Sequence, residues 1–95
     1  MERNELVQRV KEIIVKVLNL DIQPAEIADD ELLLGGGLEV DSLAVLQIVD
    51  ELEVVFSVTA RDEEVTADLF RSVATLTDFV ERKLAEAGER EQVKG

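Results

Sequence analysis

The stretch Val40-Asp41-Ser42-Leu43-Ala44-Val45-Leu46-Gln47-Ile48-Val49-Asp50-Glu51-Leu52-Glu53-Val54-Val55-Phe56 decides the fold. Val45, Ile48, Val49, Leu52, Val55 and Phe56 recur at spacings of three and four, which gathers them on one side of a helix, and Leu46 broadens that side. Asp41 or Ser42 stands where the helix begins, and either side-chain oxygen can accept one of the backbone N–H groups left over at a helix start. Immediately upstream, Gly35-Gly36-Gly37 ends any earlier short helix and makes a flexible approach to the Asp-Ser pair.

Working outward, Leu6, Val7, Val10, Ile13, Ile14, Val17 and Leu18 give the same helical spacing from about Arg3 to Asn19, with Asn4 as a candidate cap. Pro24 marks a loop, and in the mixed stretch up to Val40 the residues Ile27, Leu32, Leu33 and Leu34 are expected to turn inward. Ser57 to Ala60 reads as an extended loop, and Thr66 to Phe70 as one short turn of helix capped by Thr66. Ser72 then caps a last helix carrying Val73, Leu76, Phe79, Val80 and Leu84, expected to stop near Ala87 with Gly88 as its end signal. The expectation is an all-α, four-helix bundle with a long first loop, from about Leu20 to Val40, and a short third helix. The helical domain takes residues 1–87, and 88–95 form a flexible polar tail.

Composition excludes whole classes of function. The 95 residues include no Cys, His, Trp or Tyr, so disulfides, thiolate catalysis, Cys-ligated metal and the usual general base are all absent. The net charge is −12, which repels phosphate backbones and anionic lipid, so neither nucleic-acid binding nor membrane insertion is expected. The charged start, Met1 to Asn4, lacks the apolar stretch of a signal peptide, and no window is apolar enough to span a bilayer, so a cytoplasmic protein is expected. All ten cations lie outside Val17–Ala60, a span that holds ten acids. Such a one-signed region is either plain solvated surface or a field that steers basic partners.

Familiar site patterns fail when tested. A calcium loop starting at Asp29 has Leu34 at its sixth position and Val40 at its twelfth; one starting at Asp30 has Leu32 at its third and Asp41 at its twelfth. The glycine run lacks the Gly-Lys-Ser/Thr ending of a phosphate-binding loop. Ser42 has no His to activate it, so no nucleophile triad exists. No catalytic residue and no resident metal site are expected. Ser42 itself is either an ordinary helix cap or a modifiable hydroxyl. A helix N-terminus favours an attached phosphate, and a hydroxyl there is open to an enzyme acting in trans.

Gly37-Leu38-Glu39-Val40-Asp41-Ser42-Leu43, followed by Leu46, Val49, Glu51-Leu52-Glu53 and Phe56, resembles the acyl carrier protein family, and the resemblance continues through Phe56 to Ala60 and Glu64 to Leu76. It covers roughly Glu5 to Leu84. The resemblance implies that Ser42 carries a covalent 4′-phosphopantetheine arm, with Asp41 and Leu43 as the flanks of its motif. A separate phosphopantetheinyl transferase would install the arm from coenzyme A, with Mg²⁺ belonging to that complex, through attack of the serine oxygen on phosphorus. The arm ends in a thiol that holds acyl groups as thioesters for loading and processing enzymes. Those partners would dock on Leu43, Gln47, Asp50, Glu51 and Val54. Val45, Leu46, Val49, Val65 and Phe70 either line a cargo cavity or are ordinary core.

Departures from the family pattern bear on the partners. Carriers of fatty-acid synthesis have acids on the exposed face of the second helix at positions matching Ala44, Gln47, Val54 and Val55, all uncharged here, whereas the position of Asp50 is commonly apolar. The Ile-Pro usual before the third helix is Ala60-Arg61, and three glycines precede the motif. Charge complementarity selects partners, so these differences point to a specialised, stand-alone carrier, expected to be monomeric. The alternatives are an aminoacyl or peptidyl carrier of D-alanyl type and a helical interaction module that carries no prosthetic group.

Overall fold

In a computed structural model, the structure describes residues 2–31, 33 and 40–94, with 89–94 as backbone only. Three α-helices appear among them: α1 (Arg3–Leu18), α2 (Ser42–Phe56) and α3 (Val73–Lys94). The fold is all-helical, as expected, but a fourth helix is not among the described elements. Thr66–Phe70 is a hydrogen-bonded turn instead. Thr66 does cap it, its Oγ1 accepting from the Leu69 N–H at 3.3 Å, yet only the bonds Phe70 N to Ala67 O and Arg71 N to Asp68 O follow. Five residues cannot repeat the helical bond before Arg71 and Ser72 turn the chain into α3. Two 3-10 turns are also present: Pro24–Glu26, in the stretch read as the first loop, and Asp62–Glu64, just after the extended stretch. In each, a glutamate reaches back to the backbone N–H three residues earlier: Glu26 to Gln23 at 2.7 Å, Glu64 to Arg61 at 2.9 Å.

Helix ends follow side-chain chemistry, with two corrections. Glu2, not Asn4, is the N-cap position of α1, and Asn4 lies inside its first turn. At the far end Asn19 takes the left-handed conformation with φ 53°, which Asn tolerates better than most residues, and Leu20 N–H closes the last turn onto Val15 O. α3 does not stop at Ala87 but runs through Gly88 to Lys94. One glycine costs a helix only about 1 kcal/mol, and the strong helix formers on both sides of Gly88 offset that. At its start Ser72 is the cap as expected. Ser72 and Thr75 exchange bonds reciprocally, Thr75 N–H to Ser72 Oγ at 3.3 Å and Ser72 N–H to Thr75 Oγ1 at 3.0 Å.

The core forms where α1 packs against both other helices, while α2 and α3 touch only sparsely. Leu6, Val10, Ile14, Ile48, Leu52, Phe70, Val73, Leu76 and Val80 are almost completely buried. Ile27 and Leu33 turn inward as the sequence suggested; Leu32, Leu34 and the glycine run lie outside the described residues. Two expected core positions face outward instead: Leu46 is 59% exposed and Val55 37%.

The first loop is stitched down at both flanks. The buried Lys11 of α1 donates to Asp29 Oδ1 at 2.7 Å, and Asp29 O accepts from Ala74 N–H at 3.0 Å. Leu33 N–H donates to Arg71 O and Val73 N–H to Glu31 O, so the loop runs beside the entry to α3.

The second fastening is Glu64. Its side chain is nearly buried and receives Lys83 Nζ at 2.7 Å, Arg82 at 3.1 Å and Arg61 at 3.4 Å. The Lys83 ammonium first, then the Arg61 backbone N–H, hold the carboxyl down to about 2, from an ordinary 4.5. A carboxylate depressed by folding stabilises fully above pH 4.5, and that stability is lost as pH falls from 4.5 towards about 2. Glu64→Gln should therefore lower stability by about 2 kcal/mol at pH 7, where it leaves Lys83 without its carboxylate. The gap from wild type should close across pH 4.5 to 2, as followed by urea unfolding at each pH.

Candidate functional site

The start of α2 sorts its residues cleanly. Val40 and Ala44 are buried, while Asp41, Ser42 and Leu43 between them are exposed, Leu43 by 64%. Two core anchors spaced four apart thus hold an exposed Asp-Ser-Leu on the outside of the bundle. Asp41 is the N-cap: its backbone is extended, and its Oδ1 accepts from Ala44 N–H at 2.8 Å. Ser42 is the first helical residue rather than the cap, so its hydroxyl is not needed to start the helix.

This geometry suits a phosphodiester on Ser42. The hydroxyl is exposed, the first-turn N–H groups and the positive end of the helix dipole lie beside it, and the one adjacent carboxylate is engaged with Ala44. Among the described residues no cluster of acids is arranged to hold a metal. The chain also has no His, the usual general base, to activate that hydroxyl.

The outer face of α2 carries the other sequence-derived candidates. Gln47, Asp50 and Val54 are exposed, and Glu51 is half-buried and bonded to Lys16 at 3.0 Å. Ala44 does not belong to that face but is core, whereas Val55 is 37% exposed. Of the cavity candidates, Val49 and Phe70 are core, Val45 and Val65 pack against it partly buried, and Leu46 points outward. The cleft between 61–69 and α3 is lined by Arg61, Glu64, Asp78 and Arg82 together with Leu69 and Phe79, a wall of mixed polarity.

Sequence reasoning missed the Val40 and Ala44 anchors and the two buried lysines. The signal for the lysines was present: Lys11 follows Val7, and Lys83 follows Phe79, by four residues, on the apolar side of each helix.

An exposed serine at the head of a helix, with the cap supplied by the preceding Asp41, marks a class of protein open to modification by a separate enzyme. Comparison with known proteins gives the same class. Residues 8–80 match the family described as "Phosphopantetheine attachment site". The fold is similar to the solution NMR structure of a holo acyl carrier protein from Nitrosomonas europaea, at TM-score 0.76 and 34% identity, covering 83% of this chain and 95% of that one. No curated protein gives a significant sequence match. The chain belongs to the phosphopantetheine attachment-site family, as a carrier of acyl-carrier type. It bears a covalent 4′-phosphopantetheine group and is not itself an enzyme.

Proposed function

We propose that Ser42 is the attachment point and that the carrier holds acyl intermediates for partner enzymes of fatty-acid, lipid or polyketide-type biosynthesis. The observation that carries the reading is the exposed Ser42 hydroxyl at the first position of α2, with the cap supplied independently by Asp41. When bound, the arm supplies a thiol able to hold an acyl group as a thioester, sulfur chemistry that a chain without cysteine lacks. The chain's own residues present and orient. Val40 and Ala44 fix the helix start, Asp41 sets its direction, and the dipole of α2 favours the phosphate. Activation of the hydroxyl falls to a phosphopantetheinyl transferase using coenzyme A and Mg²⁺. Leu43, Gln47, Asp50, Glu51 and Val54 form the docking face for that enzyme and for acyl-loading and acyl-processing enzymes. We read the protein as a cytoplasmic monomer and a specialised stand-alone carrier, since Gln47 and Val54 stand where housekeeping carriers are acidic.

Intact-protein mass after incubation with coenzyme A, Mg²⁺ and a broad-specificity phosphopantetheinyl transferase tests this. The expected result is a gain of one phosphopantetheinyl group, mapped to Ser42 by peptide fragmentation. A gain mapped to another residue, or none with a folded sample, would overturn the assignment.

The carrier domain itself is assigned to 1–87, with 88–95 as a tail. The last described apolar side chain of α3 packed against the core is Leu84. Deleting 88–95 should change unfolding free energy by less than about 0.5 kcal/mol and leave modification of Ser42 at the wild-type rate.

A further inference from the structure

The outer face of α2 exposes large apolar side chains within the most acidic part of the chain. Leu43, Gln47, Asp50 and Val54 follow one another at helical spacing and form a single strip, with Leu46 along its edge. Leu43 is 64% exposed, Leu46 59% and Val54 75%, and all three lie on one side of the helix. α2 carries three acids, and two of them are already engaged. Glu51 pairs with Lys16 at 3.0 Å, and Glu53 accepts from Ala60 N–H at 2.8 Å. Asp50 is exposed, central to the strip, and enters no ion pair among the described residues. The strip therefore offers three large apolar side chains around one free negative charge.

Position says what meets it. At about 1.5 Å of rise per residue, Val54 lies about 18 Å along the helix from Ser42. A specific interface covers about 800 Å² on each partner. An enzyme seated over the Ser42 hydroxyl therefore also covers the strip. A second copy of this chain is a poor occupant: a twofold pairing of α2 would bring the two Asp50 carboxylates together, on molecules of net charge −12 each.

We propose that the α2 strip docks into an apolar trough on its partner enzymes that presents one Lys or Arg opposite Asp50, so that recognition is chiefly hydrophobic in spite of the acidity of the chain. This deepens, and rests on, the carrier reading above. Apolar contact is insensitive to salt, while steering by many charges falls steeply with it.

The broad-specificity transferase is the probe, with KM for this protein measured by modification rate between 0.05 and 0.5 M NaCl, a range over which the Debye length falls about threefold. Wild-type KM should rise no more than about threefold over that range, the share of one ion pair. Asp50→Asn should raise KM about threefold at low salt and flatten the remaining salt dependence. Val54→Asp is the decisive variant, because the two modes of docking predict opposite signs. A trough is spoiled by it, so KM should rise about tenfold, whereas a basic surface attracting an acidic one would lower KM. The site is too exposed for the change to disturb folding, which a thermal melt checks. A steep salt dependence, or a lower KM for Val54→Asp, would overturn the proposal and leave the carrier assignment standing. A concentration-dependent dimer abolished by Val54→Asp in light scattering would overturn it in favour of self-association. No mass gain at Ser42 in wild type would overturn the carrier assignment and this proposal with it.

Discussion

Ser42→Ala should produce a folded protein that takes up no phosphopantetheine at all, a complete loss read directly as the absence of a mass increase. The structure separates this from a folding defect. Ser42 is the first residue of α2, and the helix start is capped by the Asp41 carboxylate on Ala44 N–H at 2.8 Å. Removing an exposed hydroxyl that caps nothing should cost less than about 0.5 kcal/mol. Asp41→Ala is the converse control. It removes the cap, so unfolding free energy should fall by about 1 kcal/mol while the hydroxyl that accepts the arm remains. Equal mass gain in Ser42→Ala and wild type would place the arm elsewhere.

Phe70→Ala should give the largest loss of stability of any single truncation. Phe70 is 1% exposed and is the largest of the fully buried side chains. It sits in the turn that feeds α3, among Leu69, Val73 and Leu76, so the cavity it leaves is walled by helix and by a turn fixed through Thr66 and Thr75. Such a site collapses poorly, and about 3–5 kcal/mol should be lost. That is a large share of the roughly 5–15 kcal/mol that holds a small domain together. Chemical denaturation should show the midpoint falling accordingly. A loss below about 1 kcal/mol would mean that the 66–72 turn moves inward to fill the space.

These two residues differ in how they could be read. Ser42 was legible because two independent patterns converge on it: the apolar spacing that starts at Val45 and the Asp-Ser-Leu sequence at the helix head. Phe70 could be read as core or cavity lining only through the family resemblance, because an aromatic in a five-residue turn has no periodicity of its own to say which way it faces. The outward-facing Leu46 and Val55 were misplaced for a related reason. In α2 apolar residues occur on nearly every side, so the pattern alone does not mark where the core ends. Likewise Thr66 was rightly read as a cap, but whether the turn it starts grows into a helix depends on how soon the chain must bend into α3.

The sequence by itself determined the three long helices, the lack of Cys and His, and the serine at the head of α2. All three are local: spacing, composition and capping act within a few residues of one another. Only the tertiary structure decided that Lys11 and Lys83 are buried against Asp29 and Glu64. It also decided which acids of α2 are already engaged. Those outcomes depend on partners 18 and 19 residues away for the lysines, and on Lys16 reaching Glu51 across 35. A side chain's partner at such a distance is set by how whole helices pack, and no local pattern encodes it.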